Sequence, residues 1–134
     1  MPRIALLVAL LIGSTILAYA DDDTAAGQSV IRSQEEAFSR DDAAAAYTFA
    51  APGIKSMFPS ADIFMSMVRK AYAPVYRHRS FEFGEAKTSA GKIVQEVQII
   101  DADGAAWDAL YTLEPQPDGS LKISACVLKK AVIS

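Results

Sequence analysis

The sequence predicts a single-domain α+β protein, with three helices in its first half and a four-stranded antiparallel sheet in its second. Its 134 residues are close to the usual size of one domain. Apolar residues recur at helical spacing before Pro74 and alternate with a period of two after Arg79. Three turn signals then divide the second half into four segments of strand length, each link being short enough only for a hairpin.

The chain opens with an apolar leader. A short cationic start precedes an apolar run over residues 4–17, and the run leads to Ala-Tyr-Ala, the small-x-small form that signal peptidase accepts. The run is shorter than the roughly 20 residues that span a bilayer, and three aspartates follow it in place of a basic stop. We expect a signal peptide over residues 1–20, cleavage after Ala20 and a single periplasmic or secreted domain over residues 21–134.

The composition of the mature domain limits its partners. Loss of Arg3 with the leader leaves 12 basic and 16 acidic residues, a net charge of −4. Nucleic-acid binding usually requires a strongly basic face, so we expect no nucleic-acid partner. One histidine and one cysteine are too few for a typical metal site, and no cofactor motif is present, so we expect neither a metal nor a cofactor. After cleavage we expect no stable membrane anchor.

The first two predicted helices follow from periodicity and propensity. Residues 28–39 have a helical apolar pattern, with a start near Thr24 and with polar residues that are expected to face water. These polar residues are Gln34, Glu35, Glu36 and Arg40. A run of alanines over residues 43–47 predicts a short second helix, capped by Asp41 or Asp42 and ended by Pro52-Gly53.

A third helix is expected to open at Ser60 or Asp62 and to stop at Pro74. One face of it is apolar, and the spacing predicts that this face is buried. The face consists of Ile63, Phe64, Met67, Val68 and Ala71.

Four strands are expected to form an antiparallel meander. They are Ser80–Lys87, Lys92–Ile100, Ala106–Glu114 and Leu121–Lys129. Alternation predicts one apolar face that the helices cover. On the last strand, that alternation places Ile123, Ala125 and Val127 on the covered face and turns Cys126 away from it. We expect Cys126 to be a buried, inert thiol, with a redox-active or partner-linking thiol as the alternative.

Several separated blocks of residues occur in the order of a known family. They are Phe49-Ala-Ala-Pro52-Gly-Ile54-Lys-Ser-Met-Phe58, Phe64-Met-Ser-Met-Val68-Arg-Lys-Ala-Tyr72-Ala-Pro74-Val-Tyr76-Arg, Trp107-Asp-Ala-Leu-Tyr111-Thr-Leu-Glu114 and Lys122-Ile-Ser-Ala-Cys126-Val-Leu. Over about Gln28 to Lys130 the chain resembles a bacterial exported family known as domain of unknown function 4864. The resemblance implies a fold like that of nuclear transport factor 2 or the cystatins, with helices on a curved sheet, and it implies no activity or catalytic residue.

Aromatic residues suggest a pocket. Five of them could line an apolar space between the helices and the sheet and supply a few hydrogen-bond donors, although packing in the core is the simpler explanation. These residues are Tyr47, Tyr72, Tyr76, Trp107 and Tyr111.

Three residues are candidates for acid–base chemistry. Asp108 and Glu82 lie within strands and could act as a general base beside a tyrosine, whereas His78 could act as a base in a cleft. The alternative for His78 is a solvated residue that leads into the first strand. Asp108 alternates with Trp107, so an inward indole implies an outward carboxylate, which argues against catalysis.

Three functions are compatible with these observations. The first is a non-catalytic domain that binds a small apolar ligand or a protein partner. The second is a small-pocket enzyme of the isomerase or hydratase type. The third is a homodimeric interaction module that uses the outer face of the sheet. The apolar residues expected on that face are Val94, Ile100, Leu110, Cys126 and Leu128.

The leader yields a direct prediction. When the full chain is produced in a bacterium with an outer membrane, we expect the periplasmic fraction to contain a protein whose first residue is Asp21. Intact-mass measurement and N-terminal sequencing identify that end. A secreted or periplasmic protein that retains Met1 contradicts the prediction.

Overall fold

The protein is an α+β structure in which helices precede an open, four-stranded antiparallel sheet of strand order β1-β2-β3-β4. A computed structural model describes residues 23–132, so the leader predicted over residues 1–20 lies outside the described residues. Within 23–132, no helix combines the length and the apolar character that crossing a membrane requires. The predicted fold class is confirmed.

Five helices occupy the first half of the described chain. They are α1 (residues 23–39), α2 (Ala43–Thr48), α3 (Pro52–Met57), α4 (Ala61–Ala71) and α5 (Ala73–Tyr76). Two expected caps are present: the Asp42 side chain accepts from the Ala45 backbone N–H, and the Ser60 hydroxyl accepts from the Ile63 N–H. Each cap satisfies a donor that the helix start leaves without a partner.

Two prolines have different roles from those expected. Pro52-Gly53 does not end α2, which stops at Thr48; Pro52 is instead the first residue of α3. Pro74 lies inside the short helix α5, after α4 has already ended at Ala71. Proline is favoured in the first turn of a helix because the N–H that it lacks would have no partner there. The two prolines that were predicted to end helices therefore lie in the first turns of two additional helices.

The four strands are slightly longer than expected. They are β1 (His78–Ser89), β2 (Lys92–Asp101), β3 (Ala106–Pro115) and β4 (Leu121–Lys130). The β1–β2 link is the two-residue turn Ala90-Gly91, in which both residues have positive φ. This geometry matches the twist of a hairpin, and glycine adopts it without strain. The inner faces of β2 and β3 contain the expected buried residues Val97, Ile99 and Leu113.

A larger part of the surface of helix α1 is buried than the sequence predicts. Gln34 is 5% exposed and the Glu35 side chain is 14% exposed, so neither residue faces water as predicted. Ile31, Gln34, Glu35 and Phe38 follow the i, i+3, i+4, i+7 spacing of a single helix face. The position on the helix, rather than polarity, decides their burial, and hydrogen bonds satisfy the polar groups.

The helical half is attached to the free edge of β4 by backbone hydrogen bonds. The Ala51 N–H donates to the Ile123 carbonyl, and the Ile123 N–H donates to the Phe49 carbonyl, both at 2.8 Å. Ala50 thereby forms a parallel bridge with Ile123. The bridge covers part of an edge strand, and it holds the connection between α2 and α3 next to the sheet.

A β-bulge changes the facing of β4. Thr112 pairs with Ala125 and Leu113 pairs with Ile123, so Ser124 is an extra residue in β4. Beyond it, Cys126 lies opposite the buried Tyr111, and Val127 is 49% exposed. The prediction that Val127 faces the helices and Cys126 faces away is therefore wrong, because one inserted residue reverses the alternation that follows it.

A second bulge lies in β1, and a buried side-chain amide forms hydrogen bonds with the backbone near it. The register shifts between Phe83 and Ala86, and the fully buried Gln95 of β2 lies across the irregularity. Its Nε2 donates to the carbonyls of Gly84 at 3.0 Å and Glu96 at 2.8 Å, and its Oε1 accepts from Gln28 Nε2 at 3.1 Å. Gln95 therefore satisfies carbonyl groups near the bulge and links β2 to α1.

Replacement of Gln95 by leucine should destabilise the domain. Gln95→Leu removes the hydrogen bonds of this buried amide with Gly84, Glu96 and Gln28, and we expect a loss of about 1–3 kcal/mol in the free energy of unfolding, measured by urea denaturation. Gln98→Leu is the matched control, because Gln98 is exposed on the same strand. An equal effect of the two substitutions would show that the buried amide does not stabilise the bulge.

Candidate functional site

A cavity of about 390 Å³ lies between the helices and the β4 side of the sheet. Most of its wall is apolar and comes from α3, α4 and the segments that follow them, and the sheet contributes residues of β3 and β4. The lining residues are Gln34, Phe38, Ile54, Met57, Phe58, Phe64, Met67, Val68, Ala71, Tyr72, Val75, Tyr111, Ile123, Ser124, Ala125 and Cys126. A volume of this size is typical of sites for small molecules.

The inner wall of the cavity is built from tightly held side chains. Phe38 of α1 and Phe64 of α4 are buried with their rings 6.2 Å apart, and Val68 lies one turn further along α4. On the sheet side, Tyr111 is 2% exposed and its ring packs edge-on against Phe81, with centroids 6.3 Å apart. These residues belong to one continuous core, so the shape of this wall is set by the same packing that stabilises the fold.

The polar groups of the wall are neutral and mostly bonded to the protein. The Tyr72 hydroxyl donates to the Cys126 carbonyl at 3.0 Å, and the Ser124 hydroxyl donates to the Thr112 carbonyl at 3.3 Å. Gln34 Nε2 donates to the Ala46 carbonyl at 3.2 Å. The hydroxyl oxygens of Tyr72 and Ser124 keep lone pairs that can still accept a hydrogen bond.

Burial keeps the titratable groups of the wall in their protonated forms. It raises the pKa of the Cys126 thiol to about 12, and a hydrogen bond with Tyr111 only partly opposes this shift. Burial also raises the pKa of Tyr111 well above its ordinary value, and the nearby Cys126 and Glu35 add to the increase. The pKa of Tyr72 is raised for the same main reason. Desolvation disfavours a charged form in such a site.

Comparison with known proteins identifies the family but no close relative. The family model described as "Domain of unknown function (DUF4864)" matches residues 20–132. The chain belongs to this family. No curated protein and no solved structure matches the chain. The family resemblance in the sequence is therefore confirmed, and the site of this DUF4864 domain has to be judged on its own geometry.

Two of the five aromatic residues predicted to line a pocket do so in the DUF4864 domain. Tyr72 and Tyr111 form part of the cavity wall. Tyr47 instead donates its hydroxyl to the Phe58 carbonyl at 2.6 Å, and Trp107 Nε1 donates to Asp101 at 2.9 Å. Tyr76 lies at the surface, bonded to Asp41 and covered by a neighbouring guanidinium. None of these three side chains is a lining residue of the cavity, although Tyr47 is bonded to the backbone of the lining residue Phe58.

The two strand carboxylates named as candidates lie on the other face of the sheet. Glu82 and Asp108 are exposed, and each alternates with inward residues such as Phe81 and Trp107. The expected outward position of Asp108 is thus observed. Neither carboxylate can reach a molecule in the cavity without crossing the sheet.

His78 takes part in a charged cluster on the β1 side of the DUF4864 domain. Its Nε2 lies 2.6 Å from Glu35 Oε2 and its Nδ1 lies 2.9 Å from the Pro74 carbonyl. Arg32 donates to the other oxygen of Glu35 at 2.5 Å and stacks 4.6 Å above the Phe83 ring. His78 is therefore a half-buried link between α1, α5 and β1, rather than a solvated residue before the first strand.

The role of Glu35 was missed in the sequence. The signal that could have found it is its place on the buried face of α1, beside Ile31 and Gln34. Its partner His78 lies 43 residues away. No local pattern connects two residues at that separation.

The other surfaces of the domain are less suited to a small ligand. A second recess of about 590 Å³ is bordered by exposed residues such as Gly91, Pro115 and Gly119, and by Asp23 next to the undescribed residues. We favour the smaller cavity because buried side chains form much of its wall. Within residues 23–132, no cluster of three or more His, Cys, Asp or Glu side chains is placed to hold a metal ion.

The outer sheet face is less apolar than expected. Of its five predicted residues, Cys126 and Leu128 pack against the core instead, because of the bulge at Ser124. Val94, Ile100 and Leu110 remain on the outer face as predicted, and Val127 joins them. Leu110 and Val127 lie opposite each other and are 39% and 49% exposed, whereas Val94 and Ile100 are half-buried.

The raised pKa of Cys126 predicts that its thiol reacts slowly with alkylating reagents. At pH 8 an ordinary thiol is about one quarter thiolate, whereas a thiol of pKa about 12 is about one ten-thousandth thiolate. We expect iodoacetamide to modify Cys126 at least about 100-fold more slowly in the folded protein than in urea, with a rate that rises with pH. A Cys126→Ser, Val127→Cys double variant is the control, since position 127 is exposed. Equal rates in folded and unfolded wild-type protein would contradict the raised pKa of Cys126.

Proposed function

We propose that this protein is an exported, non-catalytic domain that binds a small apolar molecule in the cavity between its helices and β4. Export is supported by the leader over residues 1–20 and its Ala-Tyr-Ala end. Binding is supported by one main observation. A space of about 390 Å³, lined mostly by apolar side chains, lies against the packed core and opens to solvent.

The form of the cavity supports binding from solvent. Two residues of its wall, Met57 and Ala71, are exposed, and Met57 is 69% exposed. They mark a rim where a ligand can enter beside α3 and α4. The apolar wall beyond this rim would stabilise a ligand by about 25 cal/mol for each Å² of apolar surface that it buries.

Binding is better supported than acid–base catalysis in the same space. An isomerase-type mechanism needs a group that takes up a proton near neutral pH. The described lining residues include no carboxylate and no imidazole, and burial keeps the Cys126 and Tyr111 protons in place. Glu82 and Asp108, the carboxylates that could have served as a base, lie across the sheet.

A fluorescent apolar probe tests the proposal. We expect N-phenyl-1-naphthylamine to bind the mature protein with increased fluorescence, and its affinity to fall at least about tenfold in Ala71→Phe and in Val68→Phe. Both substitutions place an aromatic ring where the wall of the cavity has a smaller aliphatic side chain. Ile63→Phe is the matched control, because Ile63 is 50% exposed on the same helix and lies outside the cavity.

The two variants separate loss of the site from loss of the fold. Ala71 is exposed, so its replacement should leave the thermal unfolding temperature nearly unchanged, whereas Val68 is buried. Unchanged probe affinity in Ala71→Phe and Val68→Phe, or an equal loss in Ile63→Phe, would place the probe elsewhere and overturn the proposal.

A further inference from the structure

We propose that the ligand of this cavity is an uncharged apolar molecule that carries a hydroxyl group, held by the hydroxyls of Tyr72 and Tyr111. This inference rests on the proposed function and adds the chemical class of the ligand. It is based on the charges of the wall and on which hydrogen-bonding groups the protein leaves available.

The wall favours a neutral molecule. None of the described lining residues is Lys, Arg, His, Asp or Glu. A buried carboxylate or ammonium group costs several kcal/mol unless an opposite charge and hydrogen bonds compensate it. A ligand that places a charged group deep in the cavity would find no such partner.

Two cations of α3 and α4 are engaged with tyrosines outside the cavity lining. Lys55 Nζ lies 5.2 Å above the Tyr47 ring, and Arg69 Nε is bonded to the Tyr76 hydroxyl. Behind the sheet-side wall, the negative charge of Glu35 contributes to the raised pKa of the Tyr111 hydroxyl, and the same charge would repel an anionic ligand. The electrostatic surroundings therefore disfavour an anion at the inner end.

The polar end of the cavity consists of Tyr72, Cys126 and Tyr111. Tyr72 is tied to the Cys126 backbone by its hydroxyl, and Tyr111 lies directly opposite Cys126 in the sheet. The Tyr72 proton is therefore used, and what its oxygen can offer a ligand is a lone pair. A ligand group that donates a hydrogen bond satisfies this acceptor.

Tyr111 can contribute a hydrogen-bond donor. Tyr111 lies opposite Cys126 in the sheet and lines the cavity beside it, and the sulfur of a thiol is a weak hydrogen-bond partner. An oxygen atom of a ligand is a better acceptor for the Tyr111 proton than the thiol is. A hydroxyl group can accept from Tyr111 and donate to Tyr72 at once, whereas an ether or a ketone can only accept. The pair of tyrosines thus distinguishes an alcohol from its ether.

Three probes of similar shape test this inference by displacement of N-phenyl-1-naphthylamine at pH 7. We expect 2-naphthol to bind about threefold to tenfold more tightly than 2-methoxynaphthalene, as one additional net hydrogen bond implies. We expect 2-naphthoate, which is charged at this pH, to bind at least about tenfold more weakly than 2-naphthol.

Variants assign the preference to the two tyrosines. In a Tyr72→Phe, Tyr111→Phe double variant the ratio of the 2-naphthol and 2-methoxynaphthalene affinities should fall to within twofold of unity. Tyr47→Phe is the control and should keep the wild-type ratio, because Tyr47 is not a lining residue and its hydroxyl is bonded to the Phe58 carbonyl. Tyr72→Phe alone should reduce the ratio by at least about twofold. Because Tyr72 is half-buried, this single variant should stay folded and tests the inference even if the double variant unfolds.

The outcomes separate this inference from the proposed function. Equal binding of 2-naphthol and 2-methoxynaphthalene, or tighter binding of 2-naphthoate, overturns the ligand class while the cavity remains a binding site. An unchanged ratio in folded Tyr72→Phe overturns the role of that hydroxyl. If neither N-phenyl-1-naphthylamine nor any of the three probes binds, the proposed function and this inference both fail.

Discussion

Two backbone hydrogen bonds to Ile123 determine where the helical half meets the sheet. They hold residues 49–51 against the free edge of β4, and α3 follows directly from this contact. α3 and β4 both contribute to the cavity wall, so this attachment joins two parts of that wall. The bonds also cover part of an edge that could otherwise pair with another chain.

The bulge at Ser124 completes that arrangement. It lies one residue beyond the attached Ile123 and turns Cys126 toward Tyr111, so the polar end of the cavity depends on a single additional residue in β4. The bulge in β1 is of a different kind, because the buried Gln95 amide satisfies nearby carbonyls and links them to α1. Both irregularities redirect side chains, and both have hydrogen bonds that stabilise them.

Charged and neutral polar groups are separated across the interior. Arg32, Glu35 and His78 form a cluster on the β1 side, where they join α1 to the start of the sheet. On the β4 side the described lining of the cavity has tyrosine, serine, glutamine and cysteine groups but no charged side chain. The first arrangement links secondary-structure elements through side-chain hydrogen bonds, and the second leaves a space without charged groups in its described lining.

The sequence by itself determined the family, the order of helices before strands, the hairpin links and most of the core, because these depend on periodicity, turn residues and propensity within short segments. It also placed Tyr72 and Tyr111 among the pocket candidates. Only the tertiary structure decided the facing of Cys126 and Val127, the pairing of Glu35 with His78, and the location of the cavity. An inserted residue reverses a strand's alternation without changing its local pattern, and contacts between distant residues arise only when the elements pack.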